Sequence, residues 1–581
     1  MIMTTLEGPS RSIPDNYYDV TVSAGANASY SAMYFKYDKK GRLTNTIYPE
    51  DPDHPGKNVE TNTYYYDGKL ETKTLRDGNV FTYTYNNLDQ LESESAVKPG
   101  AATITKTYAY DDMGRLLSCW IGNDGEVFTY DPVGREVTHT CYSSPSTISW
   151  QIKSEYPDGR SQVIKTLAYG AAVTSSNYVW REYVTSNGQG LVDTVRSYRS
   201  PSVYMENKYL YDNNGNRTRE TTTFSANTDK IVKDLTYNPG NLPKSNTANC
   251  YRASAVYSTV NQSYTYNLDG SLSSKTAGTK KAEYLYDGMG RMKTEKTYAN
   301  SVLTQRDQYN FDAYGNRSSM TSEIYGANPL TVSIDYTYNA LNQLTQETRE
   351  IGAGQLTTDY AYDANGNLTA KSGGTVASYS YDAYNRTTGI QLSSSSLTFA
   401  YNAMGQRKSK THTVSGVQTT TVHAYNGTRL IADKTGNSIN RYFFTYGLTG
   451  QMTDKDTFAA ITDYSGDVVN FWNAAGRVLT GEIRTDAYGN EVMSGTVNSP
   501  YKYKSYYFDG ESGLYYLNAR YYDPATGRFT QEDQARDGIN WYSYCGGDPV
   551  NYIDPTGEIA WFIPVAIAVG AVFLLGGCNN A

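Results

Sequence analysis

Tyr108-Ala109-Tyr110-Asp111-Asp112-Met113-Gly114-Arg115-Leu116 is one copy of the pattern that decides the fold of this chain. Residues two apart on a strand point to the same face, so Tyr108 and Tyr110 set two large rings side by side. The Asp-x-x-Gly segment behind them reads as a tight turn. An aspartate carboxylate bonds the backbone ahead of it, and glycine accepts positive φ. Leu116 then opens a returning strand. The unit is a β-hairpin.

The same unit runs from Phe35-Lys36-Tyr37-Asp38 to Gly41-Arg42-Leu43, and further copies centre on Tyr211, Tyr286, Phe311, Tyr362 and Tyr401. Shortened copies sit at Tyr66, Tyr85, Tyr130, Tyr156, Tyr183, Tyr237, Tyr266, Tyr338, Tyr381 and Tyr425. Successive markers lie 19 to 29 residues apart, a period found in solenoid-like arrays. Thr- and Ser-rich stretches after the turns, as in Leu368-Thr369-Ala370-Lys371, suit strands. Helical periodicity is nearly absent. A lone hairpin is marginal in water, so neighbours must pair edge to edge. Strand twist accumulates across many strands and curls a long sheet. The expected fold is all-β: a long spiral β-sheet of repeated hairpins forming a hollow shell, open or partly closed. Most tyrosines then build the wall, where ring pairs add roughly 0.5–1.5 kcal/mol each. Stacking of a glycan on the ring ladders is the lesser reading.

Composition removes other classes. The 581 residues carry 59 acids and 51 bases, a net charge of −8, with no basic stripe to follow a phosphate backbone, so no nucleic-acid partner is expected. Four His and five Cys leave no HExxH, CxxC or zinc-finger spacing, so neither metal nor cofactor is expected. The odd, scattered cysteines read as buried or reduced thiols rather than a disulfide framework. Tyrosine is the dominant aromatic, 58 residues against 14 Phe and 6 Trp, and this ring content argues against disorder. The first twenty residues hold no basic region followed by an apolar run, so no secretory signal is read there. A repeat that starts almost at once suggests the C-terminal portion of a longer gene product.

Towards the C-terminus the chain resembles the RHS/YD-repeat family, and the resemblance covers nearly its whole length. Tyr506-Tyr507-Phe508-Asp509-Gly510-Glu511-Ser512-Gly513-Leu514-Tyr515-Tyr516 leads into Asn518-Ala519-Arg520-Tyr521-Tyr522-Asp523-Pro524-Ala525-Thr526-Gly527-Arg528-Phe529, similar to the RHS repeat-associated core. Thr462-Asp463-Tyr464-Ser465-Gly466 and Asp486-Ala487-Tyr488-Gly489-Asn490 precede it; Asp548-Pro549-Val550-Asn551-Tyr552-Ile553-Asp554-Pro555-Thr556-Gly557 closes it with a DPxG signature. The resemblance implies a β-shell whose core plugs or lines one end and encloses a C-terminal effector, as in Tc toxins and bacterial polymorphic toxins. In several members the core is an aspartyl autoprotease. By motif position its residues fall on Arg520, Asp533 and Asp554, with the cut between Glu558 and Ile559.

Two carboxylates forced together cannot both ionise easily, so one can hold a proton while the other activates water, and Arg520 could steady a developing oxyanion. Against this, Asp-Pro pairs ordinarily just start turns. Two positions depart from the family pattern: Glu558 stands where the family has Leu, and Gln534-Ala535 where it has Pro and a small spacer.

Residues 1–29 then form an N-terminal segment, 30–460 the YD-repeat shell, 461–557 the core and 558–581 an apolar tail. The tail's uncharged run, residues 559–577, is long enough to cross a bilayer core, but lacks basic flanks. It reads as a truncated effector, a membrane-contacting segment or a plug. The expected function is the encapsulating scaffold of a secreted or surface-delivered bacterial toxin, extracellular or at the cell surface, with an effector and its immunity protein as partners. The rival is a non-catalytic surface protein that binds glycans or neighbouring cells.

Overall fold

The computed structural model describes residues 17–20 and 33–563, apart from residues 160, 446 and 537. One antiparallel sheet of 40 strands runs from Tyr17–Val20 to Val478–Leu479. Each strand pairs with its neighbours in sequence, from Tyr17–Val20 with Met33–Tyr37 through to Val468–Asn473 with Val478–Leu479. Among the described residues no pairing joins the first strand to the last, so the sheet is open. It continues past residue 461 without a break.

The turn of each hairpin is built as its residues dictate. At the Asp111 copy the Asp111 carboxylate accepts from the N–H groups of Met113 and Arg115, both at 2.9 Å, and from Arg115 Nε at 2.6 Å. Gly114, at φ +81°, closes the turn by donating to Asp111 O. The register then slips by one residue beside the marker tyrosine: Ala109 pairs with Ser118 but Tyr110 with Leu116. The same bulge recurs at Tyr37, Tyr85, Tyr237 and Tyr401. A bulge adds local twist and bends its strand, so bulges recurring along the repeats coil the ribbon.

The marker hydroxyl joins one hairpin to the one before it. Tyr64 donates to Leu43 O at 2.7 Å, Tyr130 to Leu116 O at 2.8 Å and Tyr211 to Val192 O at 2.7 Å. The bond repeats from Tyr237 to Arg217 O, Tyr266 to Pro243 O, Tyr381 to Leu368 O and Tyr401 to Thr387 O. Two markers are corrected by this pattern. Tyr66 is not one: Tyr64 holds the bulge and the bond, while Tyr66 sits exposed within the turn. Tyr183 lies in mid-strand opposite Arg196, and Ser186 takes the bulge before the turn Asn187–Gly190. In both places a tyrosine-rich stretch offered several rings, and only the turn hydrogen bonds fix the phase.

The tyrosines two residues before the markers face inward. Tyr264, Tyr284 and Tyr309 close around Tyr488 and Val550 of the core. The core is held by buried charged groups as well as by rings. Arg407 pairs with Asp509, which Lys410 also reaches at 2.9 Å; Lys371 pairs with Asp523 and Arg76 with Glu532, each at 2.6 Å. Cys119, Cys141, Cys250 and Cys545 are buried free thiols; Cys578 lies outside the described residues. No helix among the described residues is long and apolar enough to cross a membrane, and most of the run 559–577 lies beyond them.

Tyr381→Phe removes a buried donor and strands Leu368 O, so it should cost about 1–3 kcal/mol in urea unfolding, whereas Tyr66→Phe should leave the midpoint unchanged. A second expectation concerns pH. Glu295 accepts from Ala487 N–H at 3.1 Å, and burial together with Asp486 and Asp307 pushes its carboxyl up to about 8. Folded chains then hold a proton that unfolded chains release, so wild-type stability falls as pH rises between the usual glutamate range and about 8. Glu295→Gln mimics the protonated acid and should overtake the wild type above that window, read as melting temperature against pH.

Candidate functional site

Arg520, Asp533 and Asp554 come from three separate segments. Arg520 precedes the strand Tyr521–Asp523, Asp533 follows the exit from Arg528–Phe529, and Asp554 follows Tyr552–Ile553. The structure brings them together. Arg520 Nη2 lies 3.5 Å from Asp533 Oδ2 and 3.6 Å from Asp554 Oδ2, all three side chains being buried. The guanidinium rests on the Phe529 ring, 3.7 Å from its centroid, and its Nη1 donates to Trp541 O at 2.9 Å. Its Nε donates to Gly557 O.

Asp554 works with both oxygens. Oδ1 accepts from Gly557 N–H at 2.8 Å and Glu558 N–H at 3.1 Å, which is the turn role expected of an Asp-Pro pair. Oδ2 faces Arg520. Its backbone N–H donates to the Tyr506 hydroxyl at 2.8 Å, which lies 3.0 Å from that of Tyr544. Gly557 is there for space. At φ +77° an added Cβ would stand 2.6 Å from Leu517 O and 3.1 Å from Arg520 N.

Burial pushes the Asp554 carboxyl up, and the nearby Asp533 adds to this; Arg520 and the two backbone N–H groups oppose it. Burial likewise draws Arg520 below its usual value, while Asp533 and Asp554 hold it charged. A carboxyl pushed up by burial, a second acid across one guanidinium and a pinned peptide carbonyl are the parts that acid-assisted attack of water on an amide requires. Glu558 and Ile559 leave this site at once, both exposed, with Ile559 at 47%. The chain then turns back, Trp561–Phe562 pairing with Tyr552–Ile553.

Sequence reasoning did not find Phe529, Trp541, Tyr506 or Tyr544. Phe529 and Tyr506 stand in the quoted motif, but nothing in their spacing marks them as contacts of Arg520 and Asp554. Asp523, a rival Asp-Pro, is used elsewhere. Its Oδ1 caps its own turn at Ala525 N–H, and its Oδ2 holds Lys371 of the shell.

No family model matches the chain. The tRNA nuclease WapA of Bacillus subtilis strain 168 is 28% identical over 273 residues, which cover 44% of this chain and 11% of WapA. The toxin protein Tse5 of Pseudomonas aeruginosa is 40% identical over 74 residues, 12% of this chain and 5% of Tse5. Among solved structures, TcdB2-TccC3 without its hypervariable C-terminal region aligns at a TM-score of 0.60 and 13% identity, over 93% of this chain and 30% of that one. The chain thus spans a small part of the curated relatives it matches. The structural likeness establishes the fold.

Arg520→Met leaves Asp533 and Asp554 buried without their counter-charge, a change worth about 3–5 kcal/mol at neutral pH. Loss of the arginine raises the folded Asp554 value further, so the deficit should grow as pH rises through the carboxyl range and shrink towards acid. Denaturant midpoints of variant and wild type at acid and neutral pH measure it.

Proposed function

Because the chain is an RHS/YD-repeat protein with the shell fold, we propose that it serves as the encapsulating scaffold of a bacterial toxin delivered outside the producing cell. The observation that carries this is the seating of the core. A coiled sheet offers its inward tyrosines and buried cations to a C-terminal core, and just beyond Gly557 the chain is exposed at Glu558 and Ile559. Relatives named as a tRNA nuclease and a toxin protein support the same reading. The partners are then a C-terminal effector and the immunity protein that neutralises it in the producer. The marker hydroxyls spend themselves on backbone carbonyls, which disfavours the glycan-binding alternative.

Self-cleavage belongs to the same proposal, with Asp554 and Asp533 as the acid pair and Arg520 positioning the peptide. The guanidinium holds the carbonyl of Gly557, one peptide upstream of the Glu558–Ile559 bond. Expressed wild type should lose a C-terminal peptide, seen on a denaturing gel and by intact mass. A new N-terminus at Glu558 or at Ile559 on the released peptide tells which bond breaks. Asp554→Asn keeps an oxygen for Gly557 and Glu558 and should abolish the loss. A chain that stays intact under all conditions while binding a glycan array would overturn both the cleavage and the scaffold reading.

A further inference from the structure

Two buried guanidinium groups line one cavity where the shell meets the core. Arg317 opens the shell strand Arg317–Ile324, and Arg528 opens Arg528–Phe529 of the core. The two residues are only 4 and 5% exposed. Both line a cavity of about 10 Å³, together with Tyr488, Thr526, Gly527 and Ser543. The two segments are in close contact beside it: a Cβ added at Gly527 would stand 2.5 Å from Arg317 Nη2.

Other buried cations at this contact have acids. Arg407 pairs with Asp509, Lys371 with Asp523 and Arg76 with Glu532. Among the described residues Arg317 and Arg528 form no ion pair. Arg528 donates from Nη1 to Asn316 Oδ1 at 2.8 Å and from Nη2 to Asn342 O, both neutral acceptors. Arg317 lies over the rings of Tyr488 and Tyr309, 4.1 and 4.7 Å from their centroids, and its buried Nε meets no acceptor. Asp307 and Asp486 feel the Arg317 charge, but their oxygens are spent elsewhere. Gln305 donates to both oxygens of Asp307, and Asp486 caps its own turn at the N–H groups of Tyr488 and Asn490. Asp312 likewise caps its turn at Tyr314 and Asn316. A cation over a ring gains much less than burial of an unpaired ion costs, so buried charges are ordinarily paired.

The cavity sets the size of what can pair these two. Its volume is about what the centre of one water-sized particle needs. A monoatomic anion fits, and a tetrahedral oxyanion does not. A water molecule could accept from Arg317 Nε but would leave both positive charges standing. Thr526 and Ser543 add hydroxyl-bearing residues to the lining, and hydroxyls donate to halides as guanidiniums do. We propose that the cavity binds chloride, which pairs Arg317 of the shell with Arg528 of the core and fastens the core at this point. With the anion removed, two like charges meet across the contact, so the stability of the folded chain follows chloride.

Thermal unfolding of the full chain at fixed ionic strength tests this, with sodium chloride exchanged stepwise for sodium gluconate, whose anion is too large for the cavity. The wild-type midpoint should climb with the logarithm of chloride concentration. Arg317→Met and Arg528→Met each remove one of the paired charges and should abolish that slope. Should a variant fail to fold, wild-type crystals grown in sodium bromide decide: an anomalous-scattering peak should lie in the cavity, in contact with both guanidinium groups. A wild-type midpoint indifferent to the exchange overturns the proposal. So does a slope that either variant keeps, which places the chloride elsewhere. A bromide map in which the cavity holds only water, or a carboxylate of the chain, overturns it as well.

Discussion

The tyrosine hydroxyl that reaches back to the preceding repeat is the bond on which the coil depends. The bulge that recurs beside the turns takes one carbonyl out of the ladder, and a carbonyl left buried without a donor costs about 1–3 kcal/mol. The marker tyrosine supplies that donor across the repeat boundary, as Tyr64 does for Leu43 and Tyr401 for Thr387. The turn arginine then lies over the same ring: Arg42 is 4.7 Å from the Tyr64 centroid, Arg115 4.7 Å from Tyr130. Hydroxyl and arginine together fix the phase between neighbouring hairpins. This explains why tyrosine outnumbers phenylalanine, 58 to 14, although both rings would fill the wall. Phe311 shows the same rule from the other side. It keeps the stacked Arg291 at 4.8 Å, but Gly547 of the core closes in near its ring edge.

What could be read in the sequence was what is local. The Asp-x-x-Gly-Arg turn is a contact between residues at most four apart, and its residue types announce it. The alternation of rings announces the strands. Phase was harder: Tyr64-Tyr65-Tyr66 offers three candidates, and only the bulge at Tyr64 distinguishes them. The seam along which the coil meets itself was not readable at all. Asp77 meets Asn365 and Lys98 meets Tyr381 because of the pitch of a coil, and pitch is the sum of many small twists. The same holds at the core. A motif pointed to Arg520, Asp533 and Asp554, but Tyr506 beneath Asp554 and the Trp541 carbonyl on Arg520 are brought in by folding.

The charged clamps on the core do different work from the rings. Burying Arg407 with Asp509 costs desolvation that an apolar pair would avoid, so such a bridge is weak evidence of net stability. Its geometry is demanding, however, and a core rotated or shifted along the sheet would leave Asp509, Asp523 and Glu532 buried without Arg407, Lys371 and Arg76. Wrong seatings are thereby penalised by several kcal/mol each. Apolar tyrosine faces, which tolerate sliding, supply the area, and the ion pairs supply the register.

That register matters because the candidate chemistry has no slack. Gly557 passes so near Leu517 O and Arg520 N that no side chain fits, and its carbonyl is held by the guanidinium that also faces Asp533 and Asp554. One residue later the chain is exposed. The grip on Gly557 is followed by only two exposed residues, Glu558 and Ile559, before the chain returns to the core, where Trp561 pairs with Ile553 and Ile563 N–H donates to Asn551 O at 2.8 Å. The same geometry would serve a purely structural terminus, with Arg520 as a rivet and Asp554 as a turn cap. The two roles diverge in what Asp554 Oδ2 does. A rivet needs it charged against Arg520, whereas an acid needs it protonated, and burial and Asp533 both push Asp554 toward the protonated form.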